Sequence, residues 1–253
     1  ERFDLFKRAA TSVEPAVKQG LISNLIVVDD SESNLIEEFC TSKTWIVYKR
    51  VANRNPGLNR NEAAIISKAD YLLYLDSDNY LNNYEGIRTL KEFVQSELPD
   101  LISISCGTEY TTKFYRKFHK KRIYPIFYFW VKIGEVQHLV RRHILLRHPY
   151  RVVKGYTLDA PDYLWSRIIP ESSHYFFNER IQNYMTYEDS ISNISYRLKA
   201  YPQFWNYKMA SKELIMSGYI LTPRLFEVLF KALSYKVISI VHNIMLSAKK
   251  NLN

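Results

Sequence analysis

The chain is short of glycine and cysteine and has no apolar run long enough to cross a bilayer, and each shortage removes a class of protein. Seven glycines and nine prolines in 253 residues are too few for a collagen-like or disordered chain. Two cysteines, Cys40 and Cys106, cannot build a disulfide framework and have no metal-ligand spacing. Both read as small buried thiols in a reducing, cytosolic setting. The longest uncharged apolar stretch near the end, Val237 to Ala248, falls short of the ~20 residues a spanning helix needs. No signal-peptide pattern stands at the start, so a cytoplasmic location is expected. The six histidines (119, 138, 143, 148, 174 and 242) show no HExxH or comparable spacing, and no dedicated zinc site is expected. Internal repeats and low-complexity linkers are also missing.

What is present describes a globular protein with an ample core: 47% of residues are hydrophobic and 15% aromatic, enough apolar surface to offset the entropy of ordering. A formal net charge of +9 favours anionic partners such as nucleotides, nucleic acid or acidic lipid. Phe3, Phe6, Ala9, Ala10 and Val13 recur at helical spacing, and LISNLIVV then reads as a strand that stops at Asp29 and Asp30. Asn34 to Cys40 reads as a helix, TWIVYKRV as a strand, and Asn61 to Lys68 as a helix that leads into the strand YLLYLD. This order predicts an α/β fold with a mostly parallel central sheet flanked by helices, where ligands collect at the carboxyl ends of strands. A helix is expected from Tyr84 through Val94, a strand over DLISISCG, and a helix over Glu188 to Ala200. Arg224 to Lys250 reads as a long helix or helical pair, apolar around much of its circumference and carrying Arg224, Lys231, Lys236, Lys249 and Lys250. It is expected to lie against the core or on a lipid surface.

The stretch YLLYLDSDNYL places Asp76 and Asp78 either side of Ser77 at a predicted strand end. Two like charges are reasonable there if a divalent cation and a diphosphate complete the site, since Mg²⁺ and Mn²⁺ take carboxylate oxygens and share their coordination with substrate phosphates. The plainer reading is a turn in which Asp76 caps the next helix and Asp78 is solvated. A D-x-D alone does not choose between them.

Three motifs in order choose. NLIVVDDSES, then NRNPGLNRNEAAIISKAD, then YLLYLDSDNYL together resemble the family 2 glycosyltransferases with the GT-A fold. In that family a strand ends in VVDDxS, an N-x-G-x-x-x-R-N segment opens a helix, and the next strand ends in D-x-D. The counterparts here are Asp29, Asp30 and Ser31, then Asn55, Gly57, Arg60 and Asn61 in slightly compressed form, then Asp76, Ser77 and Asp78. The resemblance implies that a nucleotide-diphosphate sugar donor lies over the sheet's carboxyl edge, with Asp29 or Asp30 near the base and Asp76 near the ribose or sugar. Asp78, with Asp76, would hold Mn²⁺ or Mg²⁺ against the two phosphates. Arg60 is read either as a phosphate ligand or as a structural ion pair. For an inverting reaction the family uses a carboxylate in an E-D element ahead of a helix, and TYEDSISNISYRLKA resembles it. Asp189 is nominated as the base and Glu188 as its alternate; without the resemblance, both fit a helix amino terminus favoured by its dipole.

The fold implied is therefore GT-A-like, with residues 1–110 as the nucleotide-sugar-binding half, 111–215 as the acceptor-binding and catalytic-base half, and 216–253 as a helical extension. The function implied is metal-dependent, inverting transfer of a sugar to a saccharide or lipid-linked acceptor. The expected setting is bacterial surface polysaccharide assembly at the inner face of the cytoplasmic membrane, with the basic C-terminal helix toward the lipid. The basic, aromatic run at residues 113–130 has three readings: a snorkelling surface, contact with acidic lipid or a lipid-linked acceptor, and nucleic-acid binding. No nucleic-acid partner is expected. Two rivals stand beside this reading. One is a sugar nucleotidyltransferase, which needs a glycine-rich opening loop this chain does not show, and the other is a nucleic-acid- or lipid-binding module with a structural D-x-D.

Overall fold

The structure, a computed structural model, describes residues 2–105, 118–130, 136–151, 161–183 and 196–250. Helix α1 (Arg2–Lys18) buries Phe6, Ala9, Ala10, Val13 and Ala16, the i, i+3, i+4 stripe of an amphipathic helix. Strands β1 (Leu25–Asp29) and β2 (Ile46–Arg50) pair in parallel with Asp29 opposite Arg50. Helix α2 (Leu35–Thr41) connects them, as a parallel pair requires a crossover. Helix α3 (Pro56–Ile66) starts five residues ahead of the expected Asn61. Asn55 caps it by accepting from the Leu58 N–H, and Pro56 takes the first turn, where its missing N–H costs nothing.

Strand β3 (Tyr71–Leu73) is shorter than the predicted YLLYLD. Beyond Leu73 the carbonyl of Tyr74 is taken by the side-chain amide of Gln137, which replaces a ladder partner and releases the chain toward Asp76. β4 (Tyr80–Leu81) follows, then α4 (Tyr84–Glu97) and β5 (Leu101–Ser105). β6 (Arg122–Ile123), α5 (Pro125–Trp130), β7 (Val136–Arg141) and α6 (Arg142–Arg147) come next. The described chain closes with α7 (Pro161–Glu171), β8 (His174–Phe177), β9 (Gln182–Asn183), α8 (Tyr196–Met216) and α9 (Pro223–Lys250).

The main sheet has the order β3-β7-β5-β8-β6. The expectation of an α/β sheet covered by helices and followed by a helical C-terminus holds, but the described sheet is mixed and not mostly parallel. β1–β2 and β5–β8 run parallel, whereas β3–β7, β5–β7, β6–β8 and β4–β9 run antiparallel. The cause is β7, which enters between β3 and β5 against their direction. Its four central residues are buried, and a strand covered on both faces reads alike in either direction.

Every residue of β5 is buried. On one face Ile102 and Ile104 join Val13, Leu90 and Phe93 from α1 and α4. On the other, Leu101 joins Leu164 and Ile168 of α7 and Leu214 and Val228 of α8 and α9. The sheet is thus the middle of three layers. Truncating Ile168, which is fully buried, to alanine would cost about 2–5 kcal/mol.

Candidate active site

Both acidic strand ends are held by one helix. At the end of β1 the buried Asp29 carboxylate accepts from the Ser31 N–H at 2.9 Å and from the Tyr48 hydroxyl at 2.9 Å, with the Arg50 guanidinium at 3.5 Å. Tyr48 and Arg50 lie two apart on β2, hence on one face, and Arg50 also donates to the Tyr48 oxygen and to the Ser33 carbonyl. Burial, ahead of the other causes, pushes the Tyr48 hydroxyl pKa above its ordinary value. Together these bonds fix the 29–33 loop. Asp30, next along, accepts from the Asn59 side chain at 2.8 Å.

Arg60 follows Asn59 on α3 and forms a 2.8 Å ion pair with Asp76. Its guanidinium lies 5.8 Å from the Tyr74 ring centroid and 5.6 Å from that of Tyr150, while the Tyr74 hydroxyl donates to its carbonyl. Consecutive residues of α3 therefore reach Asp30 and Asp76, and draw the ends of β1 and β3 to one place. Asn61 ties the same helix to the chain at Tyr150 through reciprocal bonds of 2.9 and 2.8 Å to its backbone.

Beyond Asp76 the chain turns, with the Asn79 N–H bonded to the Asp76 carbonyl. Arg8 of α1 donates to the Asp78 carbonyl at 3.0 Å and lies over the Tyr80 ring at 4.8 Å. Asp76 is exposed and Asp78 half-buried. Asp76 does not act as the helix cap; that place belongs to Asn83, whose side chain accepts from Gly86 at the start of α4. Tyr80 and Leu81 pair with Asn183 and Gln182 of β9, so the strand just after Asp78 lies beside the strand that leads toward residue 188. Glu188 and Asp189 themselves fall outside the described residues.

Asp29, Asp30, Arg60 and Asp76 are thus linked through α3 and β2, and Asp78 is two residues from Asp76. Sequence reasoning missed Tyr48, Arg50 and Asn59; the alternation in TWIVYKRV and the polar run NRN ahead of Glu62 were the available signals. Among the described residues no cluster of three or more His, Cys, Asp or Glu side chains could hold a metal. Asp76 and Asp78, in one turn, could contribute to an ion whose coordination is completed by donor phosphates, since Mg²⁺ can be held by one or two carboxylates together with substrate oxygens. Cys40 is buried, and burial raises its thiol pKa to about 11, so it is a poor nucleophile. Cys106 lies outside the described residues.

Residues 6–154 match the family described as Glycosyl transferase family 2. No curated protein sequence matches the chain. Among solved structures, S. aureus TarS superposes with a TM-score of 0.56 at 13% identity, over 86% of this chain and 42% of that one. S. aureus TarS 1–349 gives 0.55 at 16% identity, over 91% and 75%. The mannosyltransferase PcManGT from Pyrobaculum calidifontis, in complex with GDP-Man and Mn²⁺, gives 0.52 at 10% identity, over 96% and 76%. The chain spans less than half the length of the longer TarS chain, and at these identities the likeness is one of fold.

Proposed function

The chain belongs to glycosyl transferase family 2, and from that premise we propose that it moves a sugar, with inversion, from a nucleotide-diphosphate donor to a saccharide or lipid-linked acceptor. It is a glycosyltransferase with a GT-A fold. The observation that carries the donor reading is the pair of consecutive α3 residues, Asn59 bound to Asp30 and Arg60 bound to Asp76. In this reading Asp29 positions the loop, and Asp30 faces the base. Asp76 lies near the ribose or sugar. Arg60, aligned by Tyr74 and Tyr150, reaches a phosphate oxygen; a guanidinium carries five N–H donors, so one group can bind a carboxylate and a phosphate together.

Asp78 and Asp76 would hold Mn²⁺ or Mg²⁺. When bound, such an ion supplies positive charge to the departing nucleoside diphosphate. Asp189, or Glu188 in its place, takes the proton from the incoming acceptor hydroxyl as the new bond forms. Residues 1–110 serve the donor, 111–215 the acceptor and base, and 216–253 form the helical extension. The setting is bacterial surface polysaccharide assembly at the inner face of the cytoplasmic membrane.

PcManGT was solved with GDP-Man and Mn²⁺, so that pair is the first to test, followed by other nucleotide sugars. Melting curves should rise with the right donor only when Mn²⁺ is present, because a ligand of the native state stabilises it. Asp78→Ala should lose metal-dependent donor hydrolysis and transfer, whereas Asp189→Ala should keep donor binding and lose transfer. A flat response to every donor would overturn the assignment and return the binding-module reading, and full activity in Asp78→Ala would overturn the metal role.

A further inference from the structure

We propose that α9 docks this protein on the surface of an anionic lipid bilayer, which deepens the membrane setting proposed above. The inner side of α9 is spent on the fold, with Leu225, Val228 and Ala232 buried in the helical core. Its outer side is apolar and open. Phe226, Phe230, Leu233, Val237, Ile240 and Ile244 follow one another at spacings of four and three, and each is 49–72% exposed. At 3.6 residues per turn they fall in a strip about 80° wide along the helix. Ile220 and Leu221, in the turn between α8 and α9, are exposed as well and extend the strip past the helix start. A continuous patch of this kind marks an interaction surface.

Charge decides what covers it. The only carboxylate in α9, Glu227, is bonded to Arg224 at 2.7 Å and to Lys231 at 2.6 Å, and Arg224 also pairs with Asp162, so these charges are matched, while Lys236 stands exposed beside the strip. α5 packs against α9, and the Phe129 ring lies 4.9 Å from that of Tyr219 in the α8–α9 turn. The segment that enters α5 exposes Lys120, Lys121 and Arg122, then Tyr124 and Ile126. Cations and bulky apolar groups thus occur together in neighbouring elements of a chain whose net charge is +9. A second copy would bring like charges face to face. An anionic bilayer instead offers opposite charge at headgroup depth and apolar chains just beneath. No helix among the described residues is long and apolar enough to cross a membrane, so α9 lies in the interface, about 42 Å of helix at 1.5 Å per residue.

Co-sedimentation with phosphatidylcholine vesicles, with and without phosphatidylglycerol, tests this. The wild type should bind the anionic vesicles and lose most of that binding at high salt. Phe230→Glu with Leu233→Glu changes exposed positions only; it should keep the circular dichroism spectrum and bind at least about tenfold more weakly, the factor that 1.4 kcal/mol produces. Lys121→Glu with Arg122→Glu should weaken binding to the anionic vesicles alone. No binding of the folded wild type to either vesicle overturns the proposal. So does a dimer, seen by light scattering, that the double glutamate variant dissociates while vesicles are ignored. Donor hydrolysis in solution is read separately: its failure with vesicle binding intact would count against the donor reading and leave the docking face standing.

Discussion

Replacing Arg60 with alanine separates what this side chain does for the fold from what it does for the donor. Its partner Asp76 is 2.8 Å away, with the two side chains 25% and 53% exposed. An ion pair this open contributes about 0–1 kcal/mol. The lost contacts with the Tyr74 and Tyr150 rings add about 0.5–1 kcal/mol. A total of about 0.5–2 kcal/mol lowers the melting temperature by about 1–8 °C in a chain of this size. Losing a charge-assisted bond to a bound diphosphate is a larger matter, about 1.5–3 kcal/mol, or roughly 10- to 150-fold in donor affinity. Scanning fluorimetry and a donor titration with Mn²⁺, run on wild type, Arg60→Ala and Arg60→Lys, measure both quantities. The lysine variant should fall between the others, keeping the charge and losing the fork. A melting temperature lowered by more than about 10 °C, or a donor affinity left within about twofold of wild type, well short of the expected loss, would refute the reasoning.

Three further outcomes follow from polar groups in the core and the site. Ser103 Oγ lies 3.1 Å from His138 Nδ1 and 2.8 Å from His174 Nε2. Burial lowers the His138 pKa to about 3 and that of His174 well below its ordinary value. Both groups are depressed in the folded state, so their contribution is complete above the unfolded value of about 6.5 and is lost as pH falls below it, by about 2 kcal/mol for His138 at pH 5. Urea midpoints at pH 7.5 and 5 should record the drop, and a flat profile contradicts it. Asn206, fully buried, accepts from the Tyr163 N–H in the first turn of α7 and donates to Asp162. Asn206→Ala should cost about 1–3 kcal/mol in a denaturation curve. Tyr48→Phe removes the hydroxyl between Asp29 and Arg50; donor affinity should fall several-fold, read by isothermal titration, while the melting temperature drops by only a few degrees.

The parts of the fold set by local pattern were legible. α1, α2 and α4 stand close to their expected places because each has a one-sided apolar period or a capping residue such as Asn83, and α9 does because its apolar run is long and lacks breakers. The acids at the ends of β1 and β3 were legible because a run of apolar residues that stops abruptly at Asp announces a strand leaving the core. The direction and place of β7 were not, since Val136–Arg141 follows a stretch without period and its neighbours in the sheet are more than thirty residues away in sequence. The same holds for the site's supports. Tyr48 and Arg50 look like ordinary strand residues until β1 is laid beside β2, and the junction between Asn59 and Asp30 spans 29 residues. Non-local pairings of this kind leave no mark in a local window.

Asn59 and Arg60 are neighbours on a helix, so their side chains leave its axis about 100° apart. α3 therefore acts as a single gauge for two strand ends, its phase set at the Asn55 cap. One residue inserted between that cap and Asn59 would turn both side chains away together, and neither end could compensate for the other. On the proposed reading, the base end and the phosphate end of the donor site would form a single unit. If so, donor preference would be retuned by exchanging side chains on α3 and not by changing its length before Arg60.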